Sequence, residues 1–220
     1  MSGQNCYVFD AYGTLFDVHS PAAKLATEIG PDSARLSQIW RTKQLEYTWI
    51  RASTGRHATF RAMTEQGLDY ASAAIGGIPS GVRAKLLANY DTLAAYSEVP
   101  GVLAALKASG ARLAILSNGD PDMLDAAVTS AGLSGIFDAV LSVAECGVFK
   151  PDMKVYALAT SRFGVAPGDI QFQSSNRWDI AGGKVFGYRT NWINRLAMPD
   201  EYPDLPPDRV LTSLAGLVGD

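Results

Sequence analysis

The chain has 220 residues, 47% of them hydrophobic and 19% charged, with 19 basic against 22 acidic residues and a formal net charge of -3. That is the composition of a globular protein with a sizeable core, not of a disordered one, and no basic block marks a nucleic-acid partner. Cys6 and Cys146 make no disulfide framework and fit a reducing compartment. Residues 1–5 carry no basic stretch leading into an apolar one, and no apolar run approaches the ~20 residues that span a bilayer, so the cytoplasm is the expected location and no membrane contact is expected.

In chain order, Cys6 to Phe9 is a short apolar run that ends at Asp10 and Gly13, the pattern of a buried strand feeding a loop. From about residue 22 to 96 the texture is helical, with Leu36, Ile39, Trp40, Tyr47 and Ile50 recurring at helical spacing and Ser33 placed to cap that helix. Strand patterns resume at Leu113–Leu116. Then follow a strand over 139–143, a helix near 152–163, a strand over 170–173, a short helix near Trp178 and a strand over 188–193. Alternating strands and helices predict an α/β fold, a doubly wound parallel sheet with a Rossmann-like core. The helical stretch is too long for a plain crossover and reads as an inserted cap. The expected division is a core of residues 1–16 and 97–220 with a helical cap of residues 17–96. Ligands of such sheets bind beyond the carboxyl ends of the strands, where a cap would close over them.

Four polar clusters fall at or near those strand ends: Asp10-Ala11-Tyr12-Gly13-Thr14, Ser117-Asn118-Gly119, Phe149-Lys150-Pro151-Asp152, and Ser174-Ser175-Asn176-Arg177-Trp178-Asp179. Each has a bland reading. A strand-ending Asp is commonly a turn residue, Ser-Asn-Gly a loop, and a lysine before proline a solvated surface charge. A parallel sheet brings the first, second and fourth clusters to one rim and lets Lys150 reach it, which makes a shared site the better reading of all four. Arg41, Leu45 and Trp49 share one helix face. An arginine heading an apolar stripe suits a face laid over a buried anion.

The chain resembles the haloacid dehalogenase superfamily, and within it the L-2-haloacid dehalogenases. The resemblance is carried by Phe9-Asp10-Ala11-Tyr12-Gly13-Thr14-Leu15, by the helix string from Trp40 to Trp49, by Ser174-Ser175-Asn176 with Trp178-Asp179, and by Trp192-Ile193-Asn194-Arg195. Thr42 and Arg177 depart from the better-known members and bear on substrate range. Phosphatases of the superfamily carry a second Asp two residues after the nucleophile, where this chain has Tyr12, and usually two late acids for magnesium, where it has Asp179. One carboxylate at each position is a poor magnesium cage. No metal or other cofactor is therefore expected. A magnesium phosphatase of the same superfamily is the alternative activity, and a non-catalytic scaffold the third reading.

The resemblance implies hydrolysis of short L-2-haloalkanoic acids, with displacement of halide from C2 by Asp10 and hydrolysis of the resulting ester. Lys150 would be the counter-charge of Asp10, and a pair ~4 Å apart gains roughly 4 kcal/mol at an effective dielectric near 20. Thr14 would hydrogen-bond the nucleophile. Ser117 and the backbone N–H groups after Asp10, from Ala11 onward, would hold the substrate carboxylate. Asp179, with Asn176 and Ser174, would position or activate water. Arg41 and Asn118 would take the halide, with Trp178 as an apolar wall. Tyr12, Leu45 and Phe60 would line the pocket, and Tyr156 matches a polar site residue of the family. His19 and His57 match no catalytic position. A homodimer is expected from the family.

Overall fold

The computed structural model describes residues 5–218, so residues 1–4, on which most of the leader reading falls, lie outside it. Six strands form one sheet: β1 Cys6–Phe9, β2 Arg112–Ser117, β3 Ala139–Ser142, β4 Ile170–Ser174, β5 Arg189–Ile193 and β6 Arg209–Leu211. Their order is β3-β2-β1-β4-β5-β6, with every neighbouring pair parallel. Strand β1 lies at the centre and is buried (Cys6, Val8 and Phe9 are all 0% exposed), as a strand covered on both faces requires. Phe9 is in register with Ile115 of β2 and with Gln173 of β4, so the carboxyl ends of all three strands meet at Asp10. The strand order also reverses at β1, the point where a doubly wound sheet opens a crevice.

Between β1 and β2 a helical segment over residues 20–91 comes first: α1 Ser20–Lys24, α2 Ala26–Ile29, α3 Ser33–Thr54, α4 Phe60–Ala74 and α5 Val82–Asp91. The chain enters and leaves this segment along adjacent tracks, where Asp17 N–H donates to Ala94 O at 2.8 Å and Tyr96 N–H to Leu15 O at 3.0 Å. Helix α3 ends at Gly55, and α4 starts at Thr59, whose hydroxyl accepts from Ala62 N–H as an N-cap. The two pack closely at Gly67. A Cβ there would sit 3.2 Å from both Trp40 O and Gln44 N, so only glycine allows this approach. Four more helices, α6 Val99–Ala108, α7 Pro121–Ser130, α8 Met153–Phe163 and α9 Arg177–Phe186, complete the layers beside the sheet. Among the described residues no helix is long and apolar enough to cross a membrane.

Three local expectations change. Ser33 is the first helical residue and donates to Ala22 O at 3.0 Å, while Asp32 occupies the N-cap without a side-chain bond. The last strand-like segment begins at Arg189, one residue later than its apolar pattern. Strand β6 has no sequence signal: three residues on the sheet edge, with Arg209 and Val210 exposed, bury too little to leave an alternation.

Candidate active site

Asp10 follows the last residue of β1, and its N–H still donates to Gln173 O at 2.9 Å, continuing the sheet ladder. The carboxylate is therefore set by a central strand paired on both edges. Gly13, at φ +92°, turns the chain back sharply, and Thr14, Leu15 and Phe16 N–H all point at Ala11 O. That turn delivers Thr14 Oγ1 to Asp10 Oδ2 at 2.9 Å. Asn176 Nδ2 donates to the same oxygen at 2.9 Å, and Lys150 Nζ lies 3.3 Å from Oδ1. Asp10 is 6% exposed, so the whole donor set sits on a desolvated carboxylate.

Lys150 is 1% exposed and also reaches Asp179 Oδ2 at 2.8 Å. Asp179 lies in the first turn of α9, 0% exposed, and takes Tyr156 OH on its other oxygen at 2.8 Å. Two carboxylates thus share one ammonium. Burial alone pushes the Lys150 ammonium towards neutrality, but the charges of Asp179 and Asp10 outweigh it, and its pKa ends above the usual 10.5. Burial holds the Asp179 carboxyl above its usual 3.8, with the Asp10 charge adding to the effect and Lys150 opposing it.

Above this floor lies Arg41 of α3. Its Nη2 donates to Tyr12 O at 2.9 Å and reaches Asn176 Oδ1 at 3.3 Å, and its Nη1 donates to Gln44 Oε1 at 2.8 Å. A cavity of about 600 Å³ opens outward from this point, lined among others by Arg41, Leu45, Asn176, Trp178, Leu196 and Met198.

The sequence model of the haloacid dehalogenase-like hydrolases matches residues 4–187. Over 211 residues the chain is 43% identical to (S)-2-haloacid dehalogenase 1 of Pseudomonas sp. (strain CBS-3), covering 96% of this chain and 93% of that protein. A solved dehalogenase aligns with a TM-score of 0.95 at 38% identity, over 99% of this chain and 96% of the other. The L-2-haloacid dehalogenase of Xanthobacter autotrophicus, solved with chloropropionic acid covalently bound, aligns with a TM-score of 0.90 at 37% identity, over 98% of this chain and 97% of the other. The chain belongs to the L-2-haloacid dehalogenase branch of the haloacid dehalogenase-like hydrolases.

Of the residues that family resemblance singled out, Asp10, Thr14, Lys150, Asn176 and Asp179 form one hydrogen-bonded cluster, and Arg41 joins it through Asn176. Ser174, 0% exposed, accepts Asn176 N–H and so shapes the loop. Ser117 is buried at the end of β2 and accepts Gly119 N–H at 3.1 Å. Asn118 Oδ1 accepts Lys150 N–H at 2.9 Å, tying the lysine loop to the β2 end, and no contact among the described residues joins Asn118 to Arg41. Tyr156 sits below Asp179 and lines none of the open cavity. Tyr12 and Phe60 are also buried, their rings 5.0 Å apart, and lie off the cavity wall that Leu45 and Trp178 form. Thr42 is exposed. Arg177 is buried in an ion pair with Asp200 and caps the carbonyls of Tyr202 and Leu205, which explains an arginine there by loop anchoring.

Four contributors carry no role in the sequence reading. Gln44 holds Arg41. Ser175 N–H donates to Thr14 Oγ1 at 2.8 Å, fixing that hydroxyl's proton towards Asp10. Arg195 donates to Thr14 O at 2.9 Å, pairs with Glu98 and lies 3.8 Å over the Tyr96 ring. Asp120 accepts Phe60 N–H and Arg61 N–H at 3.0 and 2.8 Å, binding the start of α4 to the loop after β2. Gln44, three residues after Arg41 on one helix, carried a usable spacing signal. The other three become neighbours only through the fold.

The donor set does not fit a magnesium cage. Lys150 already occupies the space between the two carboxylates, and Arg41 is bonded to the Tyr12 carbonyl in the loop where the phosphatases add their second acid. Among the described residues no group of three His, Cys, Asp or Glu side chains is placed to hold a metal ion.

Proposed function

We propose that this protein hydrolyses short L-2-haloalkanoic acids to D-2-hydroxy acids, with Asp10 as the nucleophile. The observation that carries the proposal is the buried Asp10 carboxylate at the end of the central strand. It is held by Thr14, Asn176 and Lys150, with a second carboxylate, Asp179, on the same ammonium. A carboxylate fixed in this way attacks a carbon placed against it without paying for orientation. The covalently bound chloropropionic acid of the Xanthobacter autotrophicus enzyme supports the same chemistry here.

An oxygen of Asp10 attacks C2 from the side opposite the halogen. The C–O bond forms, the carbon–halogen bond breaks, and halide leaves with the bonding pair, so C2 inverts and no proton is needed. Arg41 and Asn118 receive the halide against Trp178, while Ser117 and the backbone N–H groups following Asp10 hold the substrate carboxylate. Water then adds to the Asp10 carboxyl carbon. Asp179, positioned with Asn176 and Ser174, accepts a proton from the water, the ester C–O bond to the Asp10 carboxyl carbon breaks, that proton passes to the departing alkoxide oxygen, and the hydroxy acid leaves with the oxygen that made the bond while the Asp10 and Asp179 carboxylates are regenerated. The helical segment acts as the cap, carrying Arg41 and Leu45 over the reacting carbon and limiting water.

The decisive experiment is a single turnover of L-2-chloropropionate with enzyme in excess, in ¹⁸O water and in the presence of EDTA. Halide release, a D-lactate hydroxyl without heavy oxygen and a labelled Asp10 are expected. Label in the lactate hydroxyl with none in Asp10 makes Asp10 a general base and overturns the mechanism. Activity abolished by EDTA and restored by magnesium, with turnover of phosphate esters, overturns the substrate class.

A further inference from the structure

The anion-facing arginine is not held by the core. Apart from its contacts to Tyr12 O and Asn176, the guanidinium is held by Gln44, one helical turn along α3, beside the Tyr90 hydroxyl that bonds the same amide oxygen. Gln44 is 1% exposed, and each of its polar atoms has a partner. Its Oε1 accepts from Arg41 Nη1 at 2.8 Å and from Tyr90 OH at 3.1 Å. Its Nε2 donates to Thr64 Oγ1 at 2.7 Å. Thr64 Oγ1 in turn donates to Phe60 O at 2.9 Å, and Phe60 N–H is bound by Asp120. The chain of bonds runs from the loop after β2, through α4, to α3 and Arg41.

Direction matters in this chain. Thr64 spends its proton on Phe60 O, so it must accept from the amide. That places the NH₂ of Gln44 towards Thr64 and its carbonyl towards the guanidinium. A flipped amide would set NH₂ against the donor-only guanidinium and force the Thr64 hydroxyl to give up Phe60 O, and buried groups left unpaired cost more than the bonds contribute. Gln44 therefore fixes the roll of the guanidinium plane and takes up Nη1, turning towards the site the Nη2 edge, whose bonds to Tyr12 O and Asn176 Oδ1 an arriving anion would replace.

We infer that Gln44 is a positioning residue for halide departure: it holds Arg41 so that Nη2 meets the leaving anion. The inference rests on the reading of Arg41 as a halide-binding group. A neutral amide suits the task better than an acid. A carboxylate at this position would bind Nη1 as tightly but neutralise the cation that must stabilise a departing anion.

The test is a double-mutant cycle between Gln44→Met, close in volume and lacking the acceptor, and Arg41→Lys, with L-2-chloropropionate turnover and inhibition by sodium bromide as readouts. In the wild-type background Gln44→Met is expected to lower kcat about tenfold, leave KM within about threefold and weaken bromide inhibition about fivefold. In the Arg41→Lys background the same change should alter kcat less than twofold, because the geometry it protects is already gone. Should Gln44→Met fail to fold, Gln44→Glu answers the question. Bromide inhibition should weaken at neutral pH and recover on acidification as the introduced carboxyl protonates. Equal losses in both backgrounds, or unchanged bromide inhibition in the folded variant, overturn the inference. Wild-type turnover in Arg41→Ala instead overturns the reading of Arg41 on which it rests.

Discussion

Replacing Lys150 with methionine removes the charge that holds two buried carboxylates together while keeping most of the side chain's bulk. In the native protein the ammonium is 3.3 Å from Asp10 and 2.8 Å from Asp179. At an effective dielectric near 20 these separations correspond to gross attractions of about 5 and 6 kcal/mol. The net loss is smaller, because a stranded carboxylate can escape by taking up a proton. For an acid with an ordinary value of 3.8, such as Asp179, protonation at pH 7 costs about 4 kcal/mol. That figure caps the electrostatic penalty per carboxyl and agrees with the ~3–5 kcal/mol measured when buried pairs are broken. The expected destabilisation at pH 7 is therefore about 3–5 kcal/mol in urea unfolding. The penalty comes from an acid whose folded pKa is raised, so the variant keeps its stability below the unfolded pKa and loses it as pH climbs. The deficit should shrink by up to about 1.4 kcal/mol per pH unit on going down from pH 7. In the native protein the Lys150 contribution is present throughout this range and fades only as pH rises through its own elevated pKa, above 10.5. Loss of ~3 kcal/mol of support for the anion should slow halide release about a hundredfold. A variant within ~1 kcal/mol of wild type, with no dependence on pH, would refute the shared-ammonium account.

Two further outcomes follow from the same geometry. Arg41→Lys keeps the charge but loses the planar fork that spans Tyr12 O, Asn176 and Gln44. Halide release should slow about tenfold or more, above ~1.4 kcal/mol in the barrier, with thermal unfolding little changed. In the proposed mechanism Asp179 must be ionised to accept a proton from water, and burial holds its pKa above 3.8, so the acid limb of turnover should lie above that value. Tyr156→Phe removes a bond to the ionised form and should move the limb upward by about one pH unit in a pH–rate profile, since a hydrogen bond to a charged group is worth ~1.5 kcal/mol or more.

The strands that build the site were legible because each is a short apolar run ending in a polar cluster, and the parallel order follows from their alternation with helices. Asp10, Lys150 and the Asn176–Asp179 pair stand in three segments of sequence, and only the packing of β1 beside β4 with the Lys150 loop makes them one cluster. Their residue types could be read. Their bonding could not, because the two carboxylates meet through a lysine whose own segment looks like a surface turn. Helices α6 and α7 and strand β6 left no separate expectation. Helix α7 opens at Pro121 after a Ser-Asn-Gly-Asp stretch that reads as loop, and β6 is an exposed edge. Asp120 has a similar history. It stands at the N-cap of α7, yet its carboxylate makes no cap bond there and binds the backbone of Phe60 and Arg61. Contacts between segments 60 residues apart leave no periodic trace in either one.

Charge balance ties the site together. The leaving group departs as an anion, so the reaction needs no proton donor at that stage, and two cations face the two ends of the displacement: Lys150 on the nucleophile, Arg41 where Asn176 links the nucleophile to the cavity. On the proposed ester route Asp10 loses its charge in the first half-reaction, and Lys150 is left with Asp179 alone. Two carboxylates competing for one ammonium become one carboxylate with a full partner. The Asp10 charge that helps to raise the Asp179 pKa disappears at that moment, so Asp179 is pushed towards its ionised, proton-accepting form when water must be activated. Regenerating the Asp10 carboxylate restores the competition. The shared lysine thus links the two half-reactions: the first makes the second carboxylate ready for its role, and completion of the second returns the site to its starting charge.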